Sequence, residues 1–286
     1  MSRLIRANFS RLFKSGIFKA YMLFSSGLSL FMIFMRYNDY QRNIAYYEQI
    51  PPEYHTIDGV AFIGIMYLLF VIPIFVGSFV GTEYSDGTIR NKLMIGHTRT
   101  NIYFANLIVC TVGTLIGAGI NLLINLTLGS ALCGLEVLTA SDIINGILCN
   151  FIALVSSTAI MVLVTMFVNS KAGASVAVLV ITMIMFFSTI TIENKLSADE
   201  YYDSYSYLNE DTGTIIEIPA EKNPYYLDGT KRKVYQAVYD IMPTSHIYEY
   251  AMMVTEKAGK YSGYDGIILI AATALGIILF RKKDLK

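Results

Sequence analysis

Residues 81–93, GTEYSDGTIRNKL, form a short charged segment between two long apolar runs. The first run ends near Val80 and the second begins near Ile102. The positive residues of this connection are Arg90, Lys92 and Arg99. Positive charge is enriched in short cytoplasmic loops, so the connection is expected on the cytoplasmic side if both runs cross a membrane.

The same segment has the signals of a short helix over 88–95. Asp86-Gly87 is a turn signal, and Thr88 is a candidate cap for the first helical turn. Gly96 is suited to ending the helix. Two spans would hold this helix against the membrane, where a cytoplasmic protein could push on it.

Composition identifies a membrane protein. Hydrophobic residues make up 54% of the chain and charged residues 15%, with a mean hydropathy of +0.50. Soluble domains carry about 25% charged residues. The formal net charge is zero, which gives no reason to expect nucleic acid as a partner. Trp is absent, so the 21 Tyr residues would supply any aromatic belt at the membrane surface.

Six apolar runs are long enough for membrane-spanning helices, which need roughly 20 residues each. They are 17–35, 60–80, 102–128, 143–168, 174–192 and 264–280. The expected fold class is therefore an all-α membrane protein with six transmembrane helices.

The distribution of Lys and Arg predicts that both termini are cytoplasmic. Thirteen positive residues fall on one side: Arg3, Arg6, Arg11, Lys14, Lys19, Arg90, Lys92, Arg99, Lys171, Arg281, Lys282, Lys283 and Lys286. Only Arg36 and Arg42 lie in the short segments on the other side. The long segment 193–263 is left out of this comparison, because long translocated regions do not follow the rule.

Four regions follow from this topology. Residues 1–16 predict a helix in the cytoplasmic membrane interface, since apolar and basic residues fall on opposite faces; a loose basic flank is the alternative. Residues 17–192 hold spans one to five with the helix near 88–95. Residues 193–263 form an extracellular segment, and 264–286 hold the last span and a basic tail.

The extracellular segment is acidic and rich in Tyr over 193–222, where its net charge is −6. This part either attracts a cationic substrate or serves as a solvated cap. A strand is expected over 214–218, and helices over 230–241 and 244–256. One apolar face of the last helix, formed by Ile247, Tyr250, Ala251 and Val254, is expected at the outer leaflet.

Known catalytic and nucleotide-binding motifs are missing. The sequence has no G-x-x-x-x-G-K-[ST] loop and no H-E-x-x-H, and its three His residues are far apart along the chain. We therefore expect neither an enzyme nor a metal site. Within the third span, a small group of residues could pack helices or line a pathway: Gly113, Gly117, Asn121 and Asn125. Asp265 is expected at the outer edge of the last span and lacks the second aspartate of an intramembrane protease. The span interiors hold almost no ionisable residues, which weakens secondary transport, since ion-coupled carriers usually have a carboxylate or a broken helix at mid-membrane.

With six spans and a charged segment after the second, the chain resembles the permease subunits of type-2 ATP-binding-cassette (ABC) exporters. That family has an acidic residue, Gly-Thr-hydrophobic-Arg-x-x-Leu and a basic residue opening the third span. The matching residues here are Glu83, Gly87, Thr88, Ile89, Arg90, Leu93 and Arg99, with Tyr103 following. The ending over 279–285 and Pro243 before an amphipathic helix are also similar. Asn106 departs from the family, since many members have Lys there, and the extracellular segment is larger than usual.

The resemblance implies a transport subunit in a bacterial plasma membrane, surrounded by lipid and paired with a second, identical or similar, permease chain. Separate ATP-binding subunits would bind ATP and Mg²⁺, so this chain would have no cofactor. Residues 88–95 would be the coupling helix, docked through Ile89 and Leu93 with Arg90 at the rim. A secondary transporter and a membrane sensor or accessory protein are the alternatives, and the substrate stays open.

Overall fold

The computed structural model describes residues 1–208, 214–254 and 256–284, and 76% of these residues are helical. Six helical segments are long and apolar enough to cross a membrane, which confirms the prediction of six spans: Gly16–Arg42, Asp58–Ser85, Arg99–Cys133, Ala140–Phe167, Lys171–Leu196 and Ala258–Lys282.

Thirteen α-helices are present in the described part of the chain: α1 Ser2–Lys14, α2 Gly16–Arg42, α3 Ile44–Tyr47, α4 Ile63–Leu68, α5 Ile72–Ser85, α6 Thr88–Met94, α7 Arg99–Ile124, α8 Ser130–Cys133, α9 Ala140–Phe167, α10 Lys171–Leu196, α11 Gly229–Asp240, α12 Pro243–Ala251 and α13 Ala258–Lys282. Short 3₁₀ turns occupy Pro52–Tyr54 and Asp58–Val60.

Two of the spans are not regular helices. The second is interrupted between α4 and α5, close to Pro73, whose ring nitrogen cannot donate the helical hydrogen bond. The third continues from α7 through a π-helical turn at Asn125–Gly129 into α8. The π-helical turn and α8 extend the third span beyond the apolar run 102–128.

Side-chain caps mark the start of two of the long helices, α7 and α9. The Thr98 hydroxyl accepts a hydrogen bond from the Asn101 amide at 3.2 Å at the start of α7. Thr139 and Asp142 form a reciprocal capping box at the start of α9. Such caps satisfy amides that have no partner within the helix.

The spans pack closely where one helix has a small residue at the contact. A methyl group on Gly77 of α5 would lie 2.5 Å from the Cα atom of Ser175 in α10. On α7, Gly117 has the Tyr21 ring of α2 directly against it, and its carbonyl accepts from Ser25 at 2.6 Å. The second, third and fourth spans are the most buried, so they form the centre of the bundle.

The segment between the last two spans is partly as expected. The predicted strand is present as β3, Ile215–Ile218, which pairs antiparallel with β2, Tyr205–Leu208. The short strands β1, Tyr201–Tyr202, and β4, Glu221–Lys222, pair in the same way. The helix expected over 230–241 is α11. Residues 209–213, which include part of the predicted acidic stretch, lie outside the described residues.

The second predicted helix of this segment differs from the expectation in length and environment. It ends at Ala251 rather than at 256. Three residues of its predicted apolar face, Ile247, Tyr250 and Ala251, are buried against α4, α9 and α10, while Val254 lies beyond the helix and is 43% exposed. The expectation that this face meets the outer leaflet was wrong for the three helical residues, because protein helices cover them.

The N-terminal helix α1 is also packed against protein. Leu4, Asn8 and Leu12 are buried, and α1 contacts α7 and α2. Phe13, by contrast, is mostly exposed. The helix therefore has one face in the core of this chain, which a loose flank would not have.

Candidate functional site

The short helix α6 lies between the second and third spans and is bounded by two glycines. Gly87 is its N-cap residue, with φ of 66°, and Gly96 follows its end with φ of 93°. Both values lie in the left-handed region that favours glycine. Thr88 is the first helical residue and forms no side-chain cap, so the expectation that it caps the helix was wrong.

A fully buried carboxylate, Glu83, lies at the end of α5 directly before this helix. It forms ion pairs with Lys92 of α6 and with Arg11 of α1, the latter at 2.5 Å. Asn106 of α7 donates to its other oxygen at 2.8 Å. One carboxylate thus joins four helices.

Two asparagines extend this cluster. The side-chain amide of Asn8 in α1 donates to Oδ1 of Asn106 at 2.9 Å, and Lys92 donates to Oδ1 of Asn8 at 3.0 Å. Burial lowers the pKa of the Lys92 ammonium, while Glu83 opposes that effect. We call Asn8, Arg11, Glu83, Lys92 and Asn106 the Glu83 cluster. Buried charges need this kind of pairing, since an unpaired charge away from water is very costly.

The exposed surface of α6 is not the one expected from the sequence. Ile89 is only 1% exposed and belongs to the core of this chain, and Leu93 is partly buried against that core. Met94 and Ile95, at the end of the helix, are 78% and 79% exposed. Arg90 is exposed as well. The apolar side chains available to a partner are therefore Met94 and Ile95.

Arg99 points away from the Glu83 cluster. Its guanidinium donates to three carbonyl groups at the end of α13, those of Phe280 at 2.9 Å, Arg281 at 3.0 Å and Lys283. It satisfies carbonyls that have no partner within the helix. This residue joins the start of the third span to the end of the sixth.

Next to Glu83, Tyr84 makes a second link between helix ends. Its hydroxyl donates to the Met166 carbonyl oxygen of α9 at 2.6 Å. Lys283 donates to the same oxygen at 2.7 Å and lies 4.1 Å from the centre of the Tyr84 ring. Burial lowers the pKa of Lys283 to about 8. The ends of α5, α9 and α13 are thereby connected.

The four candidate residues of the third span pack against neighbouring helices. Gly113 faces Phe75 of α5, and Gly117 faces Tyr21 of α2. Asn121 donates to the Ser25 carbonyl oxygen at 3.3 Å, and Asn125 to that of Ala61 at 3.1 Å. Of the two roles left open, these contacts favour helix packing over lining a pathway.

Several residues of the site could not be singled out from the sequence. Asn8 lies on a helix that hydropathy describes only as amphipathic, and Arg11 counts there simply as a positive charge. Asn106 was recognised only as a departure from the family pattern. Their pairing with Glu83 depends on how the helices pack.

Within residues 1–208, 214–254 and 256–284, no group of three His, Cys, Asp or Glu side chains is placed to hold a metal ion. No protein-family model and no curated protein matches this chain. The function proposed below is therefore supported by the residues of the chain itself.

Proposed function

We propose that this chain is the membrane-spanning permease subunit of a type-2 ABC exporter, with α6 as its coupling helix. The observation that supports this role is the two-sided character of α6. One end exposes Met94 and Ile95, while Lys92 and Ile89 hold the helix to the rest of the chain. An apolar pair on an otherwise anchored helix is suited to a protein groove.

The Glu83 cluster gives this helix a mechanical connection to the spans. A force on the exposed end of α6 reaches Glu83 through Lys92, and Glu83 contacts α1 and α7 directly. Close-packed, ion-paired elements move together rather than deform. Movement of α6 would therefore carry the second and third spans with it, together with α1.

The complete transporter would contain further chains. ATP-binding subunits on the cytoplasmic side would bind and hydrolyse Mg²⁺-ATP, and a second permease chain would complete the pathway. In this arrangement α6 and both termini face the cytoplasm of a bacterial cell. Closure of the ATP-binding subunits would shift the population of the spans toward an outward-open state.

The test is site-specific crosslinking in cells of the native host. A photo-crosslinking amino acid at Ile95 is expected to capture a protein that carries a G-x-x-x-x-G-K-[ST] loop. The control is the same amino acid at Val137, which is also exposed but lies in the connection between α8 and α9. Capture at both positions, or at neither, would contradict the coupling role.

A surface variant tests the consequence for activity. Ile95→Asp is expected to weaken assembly by tenfold or more, since losing a hot-spot anchor costs about 2 kcal/mol. Because Ile95 is exposed, the variant should keep wild-type expression and thermal stability. Unchanged ATP-dependent transport by Ile95→Asp would exclude Ile95 as an anchor.

One observation favours a second candidate, a proton-coupled secondary transporter. Asp265, which the sequence puts at the outer edge of the last span, is buried within α13. Its carboxylate is 3.1 Å from the His246 ring and accepts from the Ser156 hydroxyl at 2.6 Å. Of this pair Asp265 lies in a candidate span and His246 on the neighbouring α12, and ionisable residues in spans often belong to proton relays. Transport into or out of vesicles driven by a proton gradient without ATP would favour this candidate.

A further inference from the structure

A polar cavity of about 370 Å³ lies on the side of the bundle opposite α6. It is formed where the end of α10 meets α11, α12 and the residues before α13. The carboxylates of Glu193 and Glu249 line it, from α10 and α12. This volume is at the lower end of known ligand sites, which fits one long side chain or a small molecule.

Glu249 is incompletely paired for so buried a carboxylate. The residue is 7% exposed, and one oxygen accepts a hydrogen bond from the Tyr261 hydroxyl at 2.9 Å. Its other oxygen, Oε2, has no hydrogen-bond partner among the residues that the structure describes. A buried carboxylate oxygen usually has a donor, since leaving it unpaired costs free energy. Glu249 is therefore ready to accept a further donor.

Tyr239 of α11 lines the same cavity, and its buried hydroxyl has no hydrogen-bond partner among the residues that the structure describes. Burial raises the pKa of its hydroxyl, and the nearby Glu249 and Glu193 carboxylates raise it further. The hydroxyl is therefore neutral and adds no negative charge to the cavity. Glu193 and Glu249, which both line this cavity, therefore supply its negative charge.

The positive residues around the cavity give the Glu193 and Glu249 carboxylates only weak ion pairing. Arg232 is held by other groups, since it donates to the Leu196 carbonyl oxygen at 2.7 Å and stacks on Tyr226. Lys257 is the one cation paired with Glu249 in the described part of the chain, at 3.8 Å. Its side chain is 46% exposed, and such pairs contribute little. Lys257 can therefore leave at small cost.

We propose that this cavity binds the primary ammonium group of an organic amine, with Glu249 and Glu193 as its anionic partners. In the structure the Lys257 ammonium lies 3.8 Å from the Glu249 oxygen that accepts from Tyr261, so it competes with the ligand for the same carboxylate and moves away when the ligand binds. The amine comes either from a small molecule or from the lysine side chain of a peptide. This site is independent of the proposal that the chain is part of an ATP-driven exporter.

Calorimetric titration of the purified full-length protein in lipid nanodiscs tests the proposal. The probes are n-butylamine, for a small-molecule source, and Nα-acetyl-lysine-methylamide, for a peptide source. The control is the same lysine derivative acetylated on Nε, which keeps the shape and removes the charge. Saturable binding of either amine without binding of the control is expected, and the tighter probe identifies the source. Equal binding of the acetylated control, or no binding of either amine, would overturn the proposal.

Three variants assign the residues. Glu249→Gln is expected to weaken amine binding at least about tenfold, because hydrogen bonds to charged groups are strong. Glu256→Gln removes the same charge at an exposed position and should bind like the wild type. Lys257→Gln should bind the amine several-fold more tightly, since it removes the competing ammonium. If Glu249→Gln fails to fold, the Lys257→Gln variant provides the test. Unchanged or weaker amine binding by Lys257→Gln would show that Lys257 is not displaced by the ligand, and would refute the site.

Discussion

Replacing Glu83 by Gln should destabilise the protein although Gln has nearly the same shape. The carboxylate is fully buried and accepts from two cations and one amide. Gln has one acceptor oxygen, so its amide group must face one of these donors. Turning Asn106 and then Asn8 to compensate brings the Asn8 amide against Lys92, because the hydrogen bonds run in one direction through the cluster.

The size of the effect follows from how well water can reach the two cations. Removing one partner of a buried ion pair costs about 3–5 kcal/mol. The Arg11 side chain is 29% exposed and that of Lys92 is 12% exposed, so water can solvate Arg11 in part. We therefore expect a loss of about 2–3 kcal/mol, below the range for a fully enclosed pair.

Denaturant titration in detergent micelles, followed by helical circular dichroism, measures this loss. Glu48→Gln is the matched control, because Glu48 is exposed and should change stability by less than about 0.5 kcal/mol. Adding Lys92→Gln to the Glu83 variant should recover part of the loss, because the cation left unpaired is then gone. A Glu83→Gln protein as stable as the control variant would show that the Glu83 cluster does not hold α6 to the spans.

Three further predictions concern packing, pH and topology. Gly77→Ala should destabilise the protein, because the added methyl group would meet the backbone of α10. At Gly27 an added methyl group has no neighbour within 4 Å, so Gly27→Ala should be neutral or stabilising by up to about 1 kcal/mol in the same titration. The free energy of unfolding should rise between about pH 8 and about pH 10.4. Burial lowers the pKa of Lys283 to about 8, so the folded chain releases this proton at a lower pH than the unfolded chain does. Lys283→Met should lose this rise in thermal unfolding scans. Cysteine-accessibility labelling should reach position His97 from the cytoplasm and position Glu48 from outside, as the charge distribution predicts, and labelling of His97 from outside would overturn this orientation.

The sequence alone was sufficient for the features that depend on neighbours along the chain. Six apolar runs gave six spans, because an uninterrupted apolar helix of that length has few other stable environments. Gly87 and Gly96 bounded α6 within a residue or two of its expected ends, because a left-handed backbone is a local property. The strand predicted over 214–218 is present as β3, and it too was recognised from neighbouring residues along the chain.

Only the tertiary structure decided which buried residues meet each other. Ser156 and Asp265 are 109 residues apart, and Arg99 donates to the carbonyl group of Lys283, which is 184 residues away. The same limit explains Ile89 and the apolar face of α12, which were expected to meet a partner protein and lipid but are covered by this chain. Hydropathy states that a side chain leaves water, yet it has no information on whether lipid, another subunit or the chain itself covers that side chain. That choice is made by the packing of helices that are distant in the sequence.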